Sequence, residues 1–145
     1  MKRKKTIIVL IISFSLSVCM TLMIINFSKK INNSKEVAKE FCSYLVDDDI
    51  ESAKKLLHPD GQIKQEELQN YIFKLEERNS IDFSNGLSFG KVIDYSHTYY
   101  DGAYNGSVHS FTYEIIIDGK TIEASFTIID NHKGYGIDAF TISNK

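Results

Sequence analysis

The sequence contains no tryptophan, a single proline and only two cysteines in 145 residues. Cys19 falls inside an apolar N-terminal segment and Cys42 in the polar region beyond it, so the two cannot pair. The chain is therefore no disulfide scaffold, and its globular part must be held together by a hydrophobic core. About 110 residues are left for that part, which suffice for one core and not for two.

The sequence also shows no internal repeat, no zinc-ligand spacing, no phosphate-binding loop and no Ser-His-Asp arrangement. We therefore expect no cofactor and no metal, and an enzymatic activity is not favoured. Lysine outnumbers arginine, and isoleucine and asparagine are abundant. This composition is typical of an AT-rich genome and favours a Gram-positive bacterium.

One long hydrophobic run dominates the N-terminus. Thr6–Phe27 holds no charged residue over 22 positions, and as a helix it would span about 33 Å, against roughly 30 Å for a hydrocarbon core. Four basic residues, Lys2–Lys5, precede the run, and Lys29 and Lys30 follow it. The length of the run predicts an uncleaved single-pass membrane anchor (6–27). The excess of basic residues before it predicts a cytoplasmic tail (1–5) and an extracytoplasmic remainder.

Two alternatives to an uncleaved anchor stay open. Ser15-Leu16-Ser17 could serve as a signal-peptide cleavage site, although cutting there leaves an apolar stub from Val18 onward. The stretch Leu16–Cys19 resembles in part a bacterial lipoprotein box, in which the cysteine is lipidated.

Negative charge is confined to the part of the chain beyond the apolar run. All 19 acidic residues lie there, together with 13 of the 17 basic ones. An acidic domain is repelled by nucleic acid and by an anionic membrane surface. We therefore expect no nucleic-acid partner, and a protein or cell-envelope component instead.

Beyond a linker at residues 28–34, the pattern is helical. Ser34 is the expected N-cap of the first helix of the domain (35–145), and a short helix within Ile50–Leu57 and a third within Lys64–Asn79 follow. Pro59 disfavours helix at the residue before it and so ends the second helix. The apolar stripes of the first and third helices are Val37, Ala38, Phe41, Cys42, Leu45, Leu68, Tyr71, Ile72 and Leu75.

The acidic run Asp47–Asp49 separates the first two of these helices. Asp48 or Asp49 can accept the free backbone N–H groups at the start of the second helix. Calcium ligands are spaced as in D-x-D-x-D-G, which three consecutive aspartates do not offer. We predict a helix cap here, and not a metal site.

From Leu87 the hydrophobic period becomes two, and three turn signals, Asp101–Asn105, Gly119-Lys120 and Asn131–Gly134, divide the region into four strands. The predicted fold class is α+β, with the apolar helix followed by two to three helices on one face of a curved four-stranded antiparallel sheet. Turn lengths predict these cross-strand pairs: Ile117 with Ile122, Ile115 with Ala124, Tyr113 with Phe126, Tyr95 with Phe111, and Ile93 with Tyr113.

The stretches AKEFCSYLVDDDIESAKKLLHPD and HKGYGIDAFTI begin and end this order of elements. The order resembles the nuclear transport factor two-like (cystatin-like) superfamily, and within it small membrane-anchored exported bacterial domains of unknown function. The resemblance covers about Lys35–Lys145 and implies a cone-like roll; Tyr135 stands where the family usually has a tryptophan. That superfamily hosts enzymes, carriers and binding modules alike, so the resemblance implies no single function.

A histidine pair marks the sheet face that the resemblance places under the helices. The predicted register puts His97 opposite His109, and enzymes of the superfamily such as ketosteroid isomerase carry catalytic groups on this face. Asp94 lies on the opposite phase and does not match the catalytic aspartate that the resemblance implies, so structural, half-solvated histidines are the plainer interpretation. The candidate ligand-pocket residues are Tyr95, His97, Tyr99, His109, Phe111, Tyr113 and Phe126.

The other phase of the sheet carries a second set of apolar residues, Ile116, Ile129, Phe140 and Ile142, interrupted by acidic ones. An exposed apolar cluster rimmed with acids would be a protein-contact surface or a homodimer seam. The alternative is that a helix covers the residues or that they are scattered.

Two functions from different classes follow from these features. The first is a membrane-anchored, extracytoplasmic, non-enzymatic binding module that recognises a protein or envelope component, for example as an immunity-type protein. The second is a small-ligand carrier or enzyme that uses an aromatic cavity between sheet and helices. A deep cavity containing His97 and His109 would favour the second function, and a filled face the first.

Overall fold

The computed structural model describes residues 2–101 and 105–144, with side chains from residue 12 onward. Helix α1 (Lys2–Val46) is followed by α2 (Ile50–Lys55), a 3-10 turn at Gln65–Glu67, α3 (Leu68–Asn79), a 3-10 turn at Phe83–Asn85, and strands β1 (Leu87–Tyr100), β2 (Gly106–Ile117), β3 (Lys120–Asn131) and β4 (Gly134–Asn144). The four strands form one antiparallel sheet in chain order. The predicted α+β class is confirmed.

The chain forms two compact units, Met1–Asn33 and Ser34–Lys145. In the first unit the described side chains are exposed up to Lys30. One helix of the described chain is long and apolar enough to cross a membrane, and its apolar window within Ile12–Val46 is unburied. Length and composition thus agree with the predicted span.

The expected N-cap at Ser34 is wrong, because α1 continues through this residue. The preceding polar residues include neither glycine nor proline, so nothing in them ends a helix. Ser34 is instead fully buried within the domain. Its Oγ accepts a hydrogen bond from the hydroxyl of Tyr135 on β4 at 3.1 Å.

The aspartate run closes one helix and starts the next. Asp48 has a left-handed φ of 54°, and the N–H groups of Asp49 and Asp48 donate to Tyr44 O at 2.8 Å and Leu45 O at 3.3 Å, which is a Schellman closure of α1. Asp49 then accepts the N–H of Ser52 at 3.0 Å as the N-cap of α2. The predicted cap is confirmed at Asp49.

The register of the first hairpin is confirmed where the strands are regular. Tyr95 pairs with Phe111 and His97 with His109. The predicted pair of Ile93 with Tyr113 is wrong, because two irregularities between Phe89 and Asp94 insert extra residues in β1 and bring Val92 opposite Tyr113.

The predicted second turn is also wrong. Asp118 and Gly119 have φ values of 53° and 71°, as a two-residue type I′ turn requires. Ile115 therefore pairs with Ile122, and Tyr113 with Ala124. The error equals two residues, so every side chain of β2 and β3 keeps its predicted face.

Phe140 lies at the centre of the hydrophobic core. Its ring centroid is 4.8 Å from that of Phe126, 5.4 Å from Phe41 on α1 and 6.2 Å from Phe83. Full burial of such a side chain stabilises a fold by about 1.5–3 kcal/mol. The C-terminal part of α1 thus packs against the sheet by contact between Phe41 and Phe140.

The predicted outer apolar cluster does not form. Phe140, Ile142 and Ile129 are at most 7% exposed, whereas Ile116 is 44% exposed. The pairing shifts between Thr127–Ala139 and Ile128–Ile137, and the extra residue there reverses the phase of β4. Phe140 and Ile142 therefore face the core, which corrects their placement on an exposed surface.

Candidate functional site

Two parts of the domain bring polar side chains together: a histidine cluster on the inner sheet face and an acidic cleft among the helices. In the histidine cluster, the rings of His97 and His109 lie 4.6 Å apart between centroids. Tyr95 Oη lies 3.3 Å from His109 Nδ1. His109 is 1% exposed, and His97 is half-buried.

The inner face around this cluster is filled by aromatic rings. Phe111 lies between Tyr95 at 5.0 Å and Tyr113 at 6.3 Å, and Tyr113 is 6.2 Å from Phe126. Phe111, Tyr113 and Phe126 are buried. Of the predicted pocket residues, these form core, while Tyr99 is exposed and donates to Asn105 Oδ1.

The buried Tyr113 hydroxyl and Cys42 thiol both stay protonated at neutral pH. The Tyr113 hydroxyl has no hydrogen-bond partner among the described residues, and burial, followed by the nearby Glu36, raises its pKa to about 12. Burial also raises the pKa of the Cys42 thiol far above its ordinary value. Cys42 therefore offers no thiolate nucleophile at neutral pH.

His58, which the sequence places at a helix end, has a structural role. Its Nδ1 accepts the N–H of Asp60 at 3.1 Å, and its Nε2 lies 3.1 Å from Asn131 Oδ1. The ring is 2% exposed. Both nitrogens are thus used to hold the α2–α3 connection against the end of β3.

The acidic cleft has a volume of about 630 Å³. The end of α1, α2, α3 and the 3-10 turns before and after α3 supply its lining. The lining residues are Leu45, Asp48, Ile50, Glu66, Gln69, Asn70, Ile72, Phe73, Glu76, Asp82 and Ser84. Four carboxylates and no basic side chain are among these residues. The cleft therefore favours positive charge.

Two of the four carboxylates are already held by backbone groups. Glu76 accepts the N–H of Phe83 at 2.9 Å. Asp82 accepts hydrogen bonds from the hydroxyl and the backbone N–H of Ser84, which hold its pKa below its ordinary value. Phe73 adds an apolar side chain that is 62% exposed. Aromatic side chains are enriched at protein–protein interfaces, and fixed negative charge selects a partner of opposite charge.

Sequence patterns did not reveal this cleft, because its residues come from separate segments. Phe73 lies off the apolar stripe of α3, which buries Leu68, Ile72 and Leu75. A single phenylalanine off the stripe is not a specific signal, because isolated apolar residues are common on protein surfaces.

The other predicted surface residues are separated in space. Ile116 is exposed, while Ile129 lines a different cavity of about 420 Å³ with Tyr100, Val108, Thr127 and Asp138. Within the described residues, no group of three or more His, Cys, Asp or Glu side chains is arranged to hold a metal ion.

Comparison with known proteins identified no relative of this chain. No protein-family model matches the chain, and neither a curated protein nor a solved structure matches it.

Proposed function

We propose that the chain is a membrane-anchored binding module whose domain stands outside the cell and recognises a protein or envelope component. The apolar part of α1 supports the anchor by its length and composition. The basic residues before it and the acids after it support the orientation. The helices and the four-stranded sheet are compatible with the cone-like roll, so we also propose membership of the nuclear transport factor two-like superfamily.

The acidic cleft carries the proposal of binding. Its lining combines four carboxylates with the exposed ring of Phe73. Such a surface complements a protein segment with lysine or arginine side chains next to an apolar one. The acidic excess of the domain as a whole would also raise the rate at which a basic partner arrives.

A small-ligand carrier or an enzyme receives less support. That function needs space beside His97 and His109, whereas the neighbouring rings of Phe111, Tyr113 and Phe126 are buried against one another and the core. The paired histidines are then a packed feature of the sheet.

Site-specific photo-crosslinking in intact cells tests the proposed docking surface. A photoreactive phenylalanine at Phe73 should give a discrete cross-linked product, and the same residue at Ile116 should not. Both positions are exposed, and only Phe73 lines the cleft.

Charge reversal supplies the matched control for this experiment. Glu66→Lys places a cation in the cleft and should abolish the Phe73 product. Glu77→Lys changes an exposed acid of α3 that does not line the cleft, so the product should remain. A product that survives Glu66→Lys as well as Glu77→Lys would refute recognition by charge in this cleft.

A further inference from the structure

The sheet carries a cavity on the face opposite the histidine cluster. Val108 and Thr127 alternate along β2 and β3 with buried core residues, so their side chains lie on the outer face. The cavity has a volume of about 420 Å³, and its lining residues are Tyr100, Val108, Thr127, Ile129 and Asp138. We call it the outer cavity. Its size lies within the range of small-molecule sites, about 300–1,000 Å³.

Most of the lining of the outer cavity is apolar. Val108 and Ile129 lie opposite each other on β2 and β3, and Ile129 is 7% exposed. Tyr100, at the end of β1, adds an aromatic ring that is 48% exposed. Small-molecule sites commonly combine apolar and aromatic walls with a few polar groups that fix the ligand. The outer cavity therefore favours a ligand with an apolar body.

Among the described residues that line the outer cavity, Asp138 alone carries charge. It is the extra residue of the irregularity in β4, between Ile137 and Ala139, and it is 8% exposed. Its Oδ1 accepts the backbone N–H of Gln62 at 3.1 Å, and its Oδ2 accepts the side-chain amide of Gln62 at 3.0 Å. Both donors are neutral, and a carboxylate has about four lone-pair sites. Asp138 can therefore accept further hydrogen bonds.

The negative charge of Asp138 is not balanced by a neighbouring cation. The ion pairs among the described residues do not include Asp138. Lys64, on the same connection as Gln62, donates instead to the carbonyl oxygen of Gly61 at 2.9 Å. Acidic side chains are rarely buried unless they are paired. The outer cavity thus offers a mostly buried carboxylate for which a bound cation would be the complementary partner.

We propose that the outer cavity binds a small primary amine with an apolar body. The ammonium group donates charge-assisted hydrogen bonds to the Asp138 carboxylate, and the apolar body packs against Val108 and Ile129. Aromatic rings also attract ammonium groups, so Tyr100 adds to the same preference. The outer cavity shares no lining residue with the acidic cleft, and this proposal does not depend on the membrane anchor.

Isothermal titration calorimetry of the full chain in detergent tests the proposal with 2-phenylethylamine. The matched neutral probe is 2-phenylethanol, which has the same apolar body and no charge. The wild type should bind the amine at least about tenfold more tightly than the alcohol. Asp138→Asn keeps the shape of the side chain and an acceptor for Gln62. It should weaken binding of the amine at least about tenfold and leave binding of the alcohol unchanged.

Three further variants locate the binding site. Val108→Phe fills the outer cavity and leaves the bonds between Asp138 and Gln62 in place, so it should abolish binding of the amine even if Asp138→Asn does not fold. Thr121→Phe changes an exposed residue of β3 that does not line the cavity, and it should bind the amine as the wild type does. Glu66→Lys changes the acidic cleft and should also have no effect.

The proposal would be overturned by the absence of saturable amine binding to the wild type. It would equally be overturned if the wild-type affinity persisted in a folded Asp138→Asn chain or in Val108→Phe. Loss of binding in Glu66→Lys alone would assign the amine to the acidic cleft and would also contradict the proposal.

Discussion

The imidazole Nε2 of His58 lies 3.1 Å from Oδ1 of Asn131, 73 residues further along the chain. The same ring accepts the N–H of Asp60, and the neighbouring backbone closes the β4 edge through Ile137. One buried side chain thus fixes the connection that leads from α2 to the cleft-forming α3.

Replacement of His58 should therefore be costly. His58→Ala removes a buried ring and its two part-buried hydrogen bonds, to the Asp60 N–H and to Asn131 Oδ1, so we expect a loss of about 1–3 kcal/mol in the free energy of unfolding. Urea unfolding of the full chain in detergent measures this value. His132→Ala changes an exposed turn residue and should alter the free energy by less than about 0.5 kcal/mol. Equal effects of the two variants would contradict the structural role of His58.

The helix cap at Asp49 predicts a dependence on acid. Hydrogen bonds from the Ser52 side chain and backbone hold the pKa of Asp49 below its ordinary value of 3.8. Its contribution to stability is therefore complete above that value and is lost as the pH falls through the lower folded-state pKa. Asp49→Asn retains a capping acceptor but does not titrate.

Urea unfolding midpoints at neutral pH and at about pH 3 distinguish the wild type from Asp49→Asn. The wild type should lose more stability between these conditions than Asp49→Asn does. At neutral pH, Asp49→Ala should lower the midpoint, and the nearby, exposed Asp47→Ala should not. Added calcium should leave the wild-type melting temperature unchanged; a large calcium-induced rise would contradict the capping role.

Removal of the hydroxyl should lower the free energy of unfolding at Tyr135 and should not lower it at Tyr113. Tyr113→Phe removes a buried hydroxyl without a described partner, so stability should stay the same or rise by up to about 1–3 kcal/mol. Tyr135→Phe removes the hydrogen bond to Ser34 and should cost about 0.5–1.5 kcal/mol. Urea unfolding measures both, and a marked loss in Tyr113→Phe would indicate a partner for its hydroxyl.

Alkaline pH supplies a second measurement on Tyr113. Its pKa is about 12 in the folded chain, against an ordinary value of 10.0. The folded state therefore binds this proton more tightly, and stability must fall as the pH rises above about 10. Tyr113→Phe should show a smaller fall than the wild type over this range.

The alternating pattern of β2 and β3 predicted the faces of their side chains correctly even though the turn was misplaced. A register error of two residues preserves the inner face, so Phe126 and Ile128 remained in the core. Strand β4 behaved differently, because one extra residue near Asp138 reverses its phase. No side-chain pattern in the sequence marks that bulge, and Phe140 was therefore assigned to the wrong face.

Local signals likewise predicted the caps better than the continuity of helices. Asp49 has the residue type and position of an N-cap, and the structure uses it as one. Ser34 is also of a residue type common at N-caps, but α1 continues through it, and its Oγ accepts a hydrogen bond from Tyr135. The acidic cleft depends on the relative placement of α1, α2 and α3, which no single segment of the sequence encodes.

The central claim is that an uncleaved N-terminal helix anchors the chain and places the domain outside the cell. Labelling of intact cells with a membrane-impermeant maleimide tests it most directly, with Asn144→Cys as the exposed target in a chain that keeps Cys19, and with the unchanged chain as the control. We predict rapid labelling of a membrane-bound protein whose mass begins at Met1 or Lys2. Labelling only after the cells are opened, or a mature chain that begins at Val18 or at a lipidated Cys19, would contradict the account.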